Sequence, residues 1–186
     1  MYSALNVKDR VVLDVGALLG ETAPYFIGKG ARLVYAYEPV TLFYEYLVRN
    51  VELNGVSNVV RAVNAGLWFE DGEFCLDVNK PGHGLWIEGY ECSKPGLYRV
   101  KVLNIAREFG RVYDEVGNFV VKFNCEGCEY SILTLPCDII SHADEYVMEV
   151  HGAPSPIKDK LSRCGFDMNV VSSGTYSIIH FRKALK

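Results

Sequence analysis

The sequence lacks the features of a membrane-spanning or exported protein. No apolar run approaches the ~20 residues that a membrane-spanning helix requires. Residues 1–6 contain neither the basic region nor the apolar core of a signal peptide. We therefore expect a cytoplasmic protein with no membrane partner.

The chain also lacks an excess of basic charge. Its 19 Lys and Arg residues are outnumbered by 23 Asp and Glu residues, which gives a formal net charge of -4 at pH 7. Proteins that hold nucleic acids by the phosphate backbone usually present a basic surface. This composition argues against a nucleic-acid partner.

No internal repeat, low-complexity tract or block of like charge divides the chain. Its 186 residues are 49% hydrophobic and 23% charged, which is the composition of an ordinary globular protein and enough chain for one α/β core. We expect a single domain over residues 1–186, acting alone or as a homodimer.

The six cysteines are the remaining compositional signal. In a chain without an export signal they are expected to be reduced or buried thiols rather than a disulfide framework. Cys125 and Cys128 form a Cys-x-x-Cys pair, but zinc normally takes four ligands and no second pair is suitably spaced. A redox role for the pair stays open; we favour small-residue packing, and we predict no metal site.

The stretch from Val11 to Gly20 organises the rest of the chain. A run of aliphatic residues predicts a buried strand, and the following turn leads into a predicted helix at residues 21–27. Gly16 has no Cβ, so a ligand could lie against the backbone there. The glycines at 16 and 20 do not have the spacing of a dinucleotide fingerprint, and Asp14 suits a cationic ligand group.

Two further strands are predicted to end in ligand-contacting residues. Residues 31–37 form the second strand, and Glu38, before Pro39, can accept hydrogen bonds from both hydroxyls of a ribose. Residues 59–63 form the third strand, and Asn64 or the backbone at Ala65 could contact a base. Asn64 could equally be a turn former.

Residues 68–102 differ in pattern from the rest of the chain. Two short strands, at residues 74–78 and 97–102, flank a segment with Pro, Gly and aromatic residues but no periodicity. We interpret 68–102 as an insertion on the substrate side, to which His83 and Trp86 would contribute. An exposed hairpin is the alternative.

Polar residues also follow the fourth and fifth predicted strands, at residues 118–124 and 146–150. Asn124 and Glu126 follow the former, and Glu149 and His151 end the latter. Since ligands bind beyond the carboxyl ends of parallel strands, all should share one crevice.

The sequence does not decide which residue of this group would accept a proton from a bound ligand. Glu126, Glu129, Glu149 and His151 are candidate bases, and His is attractive because its ordinary pKa is ~6.5. Glu129 could instead favour the dipole of a following helix. Lys122 is either a strand residue whose ammonium reaches solvent at the edge of the sheet or a partner for Glu126 or Glu149.

The predicted fold class is α/β. Residues 166–171 and 176–181, separated by a Ser/Gly-rich turn, predict a hairpin at the carboxyl-terminal end. We expect a single Rossmann-like domain with a mostly parallel sheet, flanking helices and an antiparallel C-terminal hairpin.

Four local motifs together resemble the FkbM-type family of S-adenosylmethionine-dependent methyltransferases. They are Leu-Asp-Val-Gly-Ala at 13–17 with the glycine at 20, Glu-Pro at 38–39, Lys-Phe-Asn-Cys-Glu-Gly-Cys-Glu at 122–129, and Glu-Val-His at 149–151. The chain departs from the family at Leu18, where Asn is usual, and at Asn124, where Asp is usual. The second change removes a carboxylate that could act as a base or metal ligand.

The resemblance implies a Rossmann-like methyltransferase domain that uses S-adenosylmethionine to methylate a hydroxyl on a small molecule or glycan. The alternative is a catalytically inactive S-adenosylmethionine-binding protein, or a subunit of a larger methyltransferase complex. Together with the strand ends, the resemblance assigns cofactor contacts to Asp14, Gly16, Ala17, Gly20, Glu38, Pro39, Asn64 and Ala65. Catalytic roles fall to Lys122, Asn124, Glu126, Glu149 and His151.

Overall fold

The structure is a computed structural model that describes residues 2–77, 92, 97–174 and 176–184. Within these residues the chain forms ten strands: β1 (Val11–Val15), β2 (Leu33–Tyr37), β3 (Val60–Val63), β4 (Gly66–Trp68), β5 (Gly72–Asp77), β6 (Leu97–Asn104), β7 (Phe119–Phe123), β8 (Ala143–Val150), β9 (Phe166–Ser173) and β10 (Ser177–Lys183). The helices are α1 (Thr22–Gly28), α2 (Thr41–Leu53), α3 (Ile105–Val116), α4 (Cys137–Ile140) and α5 (Ser155–Arg163). Two 3-10 helices span Tyr2–Ala4 and Cys128–Thr134.

The main sheet confirms the predicted fold class. Its order in the described part of the chain is β3-β2-β1-β7-β8-β10-β9. The pairs β3-β2, β2-β1, β1-β7 and β7-β8 are parallel, and β10 runs antiparallel to both β8 and β9. The chain therefore forms a Rossmann-like sheet that ends in an antiparallel hairpin, as the pattern at 166–181 predicted.

The central strands are buried on both faces because helices cover the sheet on each side. All five residues of β1 and all five of β7 are buried. Alternate residues of β1 point to opposite faces, so Leu13 packs with Phe109 and Phe119 while Val12 packs with Phe26. The unbroken apolar runs in the sequence are the direct consequence of this two-sided burial.

A second, smaller sheet has the order β4-β6-β5. β5 and β6 are antiparallel, which confirms the two short strands expected there, while β4 pairs parallel to β6. Phe74, Leu76, Val100 and Val102 form its apolar face. The expected substrate-side role of 68–102 stays a prediction, and His83 and Trp86 lie outside the described residues.

Local contacts set the starts of α2 and α3. The N-cap of α2 is Val40 rather than Thr41, whose hydroxyl contacts Asn64 instead. α3 begins at Ile105 because β6 continues to Asn104. The Asn104 side chain accepts a hydrogen bond from the backbone N–H of Arg107 (2.9 Å) and so caps α3.

The expectation of reduced cysteines was also wrong. All six are paired, as Cys75–Cys92, Cys125–Cys128 and Cys137–Cys164. Composition cannot show which cysteines the fold brings together. Disulfides persist in oxidising compartments and in the cytosol of some hyperthermophiles, so the cytoplasmic location stays a prediction. In the described parts of the chain, no helix has the length and apolar character to cross a membrane.

Candidate functional site

A cavity of about 810 Å³ opens at the carboxyl ends of β1, β2 and β7. One wall consists of the strand ends and the loops that follow them, and the other is the apolar face of the second sheet. The residues that line the cavity include Gly16, Ala17, Leu18, Glu38, Pro39, Gly66, Leu67, Trp68, Phe69, Lys122, Asn124, Cys125, Glu126, Cys128, Tyr130, His151 and Tyr176.

At the base of the cavity, Asp14 and Lys122 form a buried ion pair. The two residues are direct partners in the β1–β7 register, and the Lys122 ammonium lies 2.7 Å from an Asp14 carboxylate oxygen. The ammonium also donates to the carbonyl of Gly16 (2.6 Å), and the Thr22 hydroxyl donates to the other Asp14 oxygen. Glu126 and Glu149 were the carboxylates expected to pair with Lys122, and neither of them does so.

This ion pair changes the role expected of Asp14. Its side chain is fully buried and does not line the cavity, whereas Lys122 does. Of the two residues, Lys122 is the one that lines the cavity, and Asp14 is its buried counterion. The expected contact between Asp14 and a cationic ligand group is contradicted by this burial.

The fold requires glycine at position 16. Its φ is +79°, and a Cβ at this position would lie 2.0 Å from the backbone oxygen of Asn124. Gly20 is similar, since its φ is +81° and a Cβ would meet Leu47 of α2 at 2.9 Å. Gly16 does line the cavity, and the expected contact of a ligand with its backbone stays a prediction.

The loop after β1 is held against the end of β2. The backbone N–H groups of Gly16 and Ala17 both donate to the carbonyl of Tyr37, and that of Leu18 donates to Glu38 (2.9 Å). Leu18 has a φ of +50°, in the left-handed region that Asn tolerates better than Leu. The Asn of the family motif would thus fit this backbone with less strain.

Glu38 lines the cavity although only 3% of the residue is exposed. Its two carboxylate oxygens accept from the N–H groups of Leu18 (2.9 Å) and Val40 (2.8 Å). Burial raises the pKa of Glu38 to about 7, against the lowering effect of these two donors and of Lys122. The group is therefore poised to change charge near neutral pH.

Asn64 and Ala65 do not line the cavity. The Asn64 amide donates to the backbone carbonyls of Glu38 (3.0 Å) and Pro39 (3.3 Å), so its side chain braces the end of β2. Of the two roles left open for Asn64, the structure favours the turn. The residues that face the cavity here are Gly66 and Leu67, at the start of β4.

At the other end of the cavity, His151 lies among three carboxylates. Its Nε2 is 3.2 Å from Glu126 and 3.4 Å from Glu149, and its Nδ1 is 3.4 Å from Glu129. Glu129 is fully buried and accepts from the backbone N–H of His151 (2.8 Å) and of Gly127 (2.8 Å). The fold thus brings together all four candidate bases.

The surroundings of His151 remove it from the list of bases at neutral pH. Burial by itself would lower the pKa of His151, but the carboxylates of Glu126 and Glu129 outweigh it and raise the pKa to about 10. The imidazole is therefore protonated and cannot accept a proton near pH 7. Of the three carboxylates, Glu126 alone lines the cavity.

Several cavity residues have no signal in the sequence. The Tyr176 ring lies 4.5 Å from that of His151, and the Tyr130 hydroxyl donates to the carbonyl of Ala153 (2.7 Å). Trp68 and Phe69 reach the cavity from the second sheet. The polar residues at strand ends do not point to them, because they come from a hairpin turn, a short helix and a separate sheet.

Asn124 lines the cavity where the family motif has Asp. Its backbone N–H donates to the carbonyl of Val15 (3.0 Å), which ties the ends of β1 and β7 together. No three His, Cys, Asp or Glu side chains within residues 2–77, 92, 97–174 and 176–184 are arranged to hold a metal ion.

The chain was compared with known proteins. No protein-family model matches it, and no curated protein matches it significantly. Solved structures do resemble it. A protein of the NADB-Rossmann superfamily from Streptococcus agalactiae has a TM-score of 0.51 and 14% identity over 95% of this chain and 63% of that one. Methyltransferase FkbM from Methylobacillus flagellatus KT has a TM-score of 0.62 and 15% identity over 96% of this chain and 44% of that one.

A third similar structure is TrmK from M. capricolum in complex with S-adenosyl-homocysteine. Its TM-score is 0.59 and its identity 12%, over 98% of this chain and 66% of that one. This chain therefore spans less than two thirds of the length of each of the three neighbours. At these identities the likeness shows the fold, which is the Rossmann-like fold that methyltransferases share.

Proposed function

We propose that this chain is an S-adenosylmethionine-dependent methyltransferase that methylates a hydroxyl oxygen of a small molecule or glycan. The observation that carries the proposal is that Glu38 and the Glu126–His151 pair line one cavity. A group that suits a ribose and a group that suits an acceptor hydroxyl thus line the same cavity. The similar folds of FkbM and of TrmK with its bound S-adenosyl-homocysteine support the cofactor in this proposal.

Glu38 suits the ribose of the cofactor. A carboxylate has about four lone-pair sites, and the N–H groups of Leu18 and Val40 occupy two of them. The remaining sites can accept from two neighbouring hydroxyls. Each hydrogen bond to the ionised form would lower the pKa of Glu38, so bound ribose would stabilise the carboxylate that burial disfavours.

Lys122 suits the carboxylate of the methionine moiety. Its ammonium has three donors, of which Asp14 and the Gly16 carbonyl take two, and the residue lines the cavity. The ion pair with Asp14 keeps the ammonium charged in a buried position and fixes its direction. Lys122 is therefore a cofactor-binding residue in this proposal, and Asp14 positions it.

Glu126 suits the role of general base. When bound, the cofactor supplies a methyl group on a sulfonium, which makes that carbon reactive toward an oxygen nucleophile. Glu126 is the carboxylate of the cluster that faces the cavity, and it can take the hydroxyl proton of the acceptor. The protonated His151 holds Glu126 in place and offsets part of the negative charge of Glu126, Glu129 and Glu149.

A second candidate function is a non-catalytic S-adenosylmethionine-binding protein or the subunit of a larger complex. It is favoured by Asn124, which cannot take a proton where the family motif has a carboxylate. In this case the cavity would bind the cofactor, and Glu126 would have no acceptor proton to remove.

Calorimetric titration with S-adenosylmethionine and S-adenosylhomocysteine, followed by a methyl-release assay over hydroxyl-bearing acceptors, tests the proposal. We expect binding that Glu38→Gln weakens, and turnover that Glu126→Gln reduces about 100-fold without changing cofactor affinity. Binding without turnover on any acceptor would favour the second candidate. No binding of either ligand would refute both.

A further inference from the structure

We propose that the Cys125–Cys128 disulfide is a positioning element that holds Glu126 against His151, and that its reduction releases this carboxylate from the cavity. Only the effect on methyl transfer rests on the proposed function. The contact between Glu126 and His151 is a property of the fold and can be measured without any cofactor.

The disulfide closes a four-residue loop around Glu126. Cys125 follows β7, Cys128 begins the 3-10 helix, and between them lie Glu126 and Gly127. Both inner residues have left-handed backbones, with φ of +58° for Glu126 and +116° for Gly127. A residue other than glycine keeps such a conformation only where its surroundings impose it.

In the part of the chain that the structure describes, few other contacts fix the position of Glu126. The chain before it is fixed by the bond from the N–H of Asn124 to the carbonyl of Val15 (3.0 Å), and the chain after it by the bond from the N–H of Gly127 to Glu129 (2.8 Å). The Glu126 carboxylate contacts the Nε2 of His151 (3.2 Å). The disulfide is the covalent link that spans both left-handed residues.

A reductant can reach this disulfide. Cys125 and Cys128 both line the cavity and are partly exposed, as are the glycine and glutamate between them. A small dithiol would be oxidised to its own disulfide while the Cys125–Cys128 bond breaks, and each sulfur would take up one proton. The carboxylate of Glu129 lies 3.6 Å from the sulfur of Cys125, so it can accept a hydrogen bond from the new thiol.

Loss of the link changes the surroundings of His151 in one direction. The charged groups that face its ring are Glu126, Glu129 and Glu149, with the Tyr176 ring beside it. Glu129 is buried and accepts hydrogen bonds from the backbone N–H groups of Gly127 and His151, so it keeps its position when the disulfide is reduced. Glu126 is the group that the loop can withdraw, and its withdrawal lowers the pKa of His151.

The test is an NMR titration of the His151 ring in the full chain, assigned with His151→Gln. The samples are the oxidised protein, the protein reduced with dithiothreitol, and the double variant Cys125→Ser/Cys128→Ser. The double variant Cys137→Ser/Cys164→Ser is the matched control, because it removes a disulfide that does not line the cavity. Glu126→Gln keeps the disulfide and shows the shift that follows from loss of the carboxylate.

We expect the pKa of His151 to fall by at least one unit on reduction and in Cys125→Ser/Cys128→Ser, toward its value in Glu126→Gln. The control variant should titrate like the oxidised protein. An unchanged His151 pKa in protein whose free thiols confirm reduction would overturn the proposal, even if the double variant fails to fold.

The same samples separate this proposal from the proposed function. If the chain is a methyltransferase, reduction should lower kcat toward its value in Glu126→Gln while the KM for S-adenosylmethionine stays constant, because Glu38 and Lys122 are unaffected. A shifted His151 pKa without methyl release on any acceptor would refute the proposed function and leave the positioning role supported.

Discussion

Neutralising Asp14 should destabilise the protein rather than act first on ligand binding. The Asp14 and Lys122 side chains are 0% and 2% exposed, and their charged atoms are 2.7 Å apart. Asp14→Asn keeps the shape of the side chain but leaves the buried ammonium without a counterion. Breaking a buried pair in this way costs about 3–5 kcal/mol of unfolding free energy, which for a chain of this size is a fall in Tm of roughly 6–20 °C.

Urea denaturation followed by circular dichroism measures this loss. The matched control is Arg99→Ala, which removes an ion pair with Glu73 whose side chains are both 61% exposed. An exposed pair contributes only about 0–1 kcal/mol, so the two variants should differ clearly. In the double variant Asp14→Asn/Lys122→Met both charges are gone, and we expect it to be more stable than Asp14→Asn alone.

The opposite pattern would refute the reasoning. If Asp14→Asn unfolds like the unmodified protein but binds S-adenosylmethionine more weakly, Asp14 meets the ligand directly. The role inferred for Lys122 would then be wrong as well.

Three further predictions concern single residues. The pKa of His151 is raised to about 10 from an ordinary ~6.5, so the stabilising contribution of this residue is fully present below about pH 6.5 and is lost as the pH rises through 10. The unfolding free energies of the protein and of His151→Gln should therefore converge as the pH rises over this range. Parallel curves would contradict the assignment. Because bound ribose needs ionised Glu38, with a pKa of about 7, calorimetry should show about tenfold tighter cofactor binding at pH 8 than at pH 6, and Glu38→Gln should abolish this dependence. Leu18→Asn should stabilise the protein by about 0.5–1 kcal/mol in urea denaturation, because Asn tolerates the left-handed φ of this position better than Leu does. Leu19→Asn, at a neighbouring position without positive φ, should not stabilise it. Equal effects of the two substitutions would show that strain is not the cause.

The sequence by itself determined the elements of the main sheet and the positions of its functional strand ends. The apolar runs at β1, β2 and β7 are local signals, because two-sided burial requires every residue of such a strand to be apolar or paired. Parallel strands place their carboxyl ends along one edge, so Glu38, Glu126 and His151 could be expected in one cavity before any coordinates.

Which groups pair within that cavity was decided by the tertiary structure. Asp14 and Lys122 are 108 positions apart in the chain and meet because the β1–β7 register makes them neighbours. The clash that Gly16 avoids comes from the backbone of Asn124, and the partner of each cysteine depends on which loops come together. The protonated state of His151, which follows β8, comes from Glu126 and Glu129 on the separate segment that follows β7. Charge and hydrogen bonding act over a few ångströms in space, and a linear chain records the residue types but not those distances.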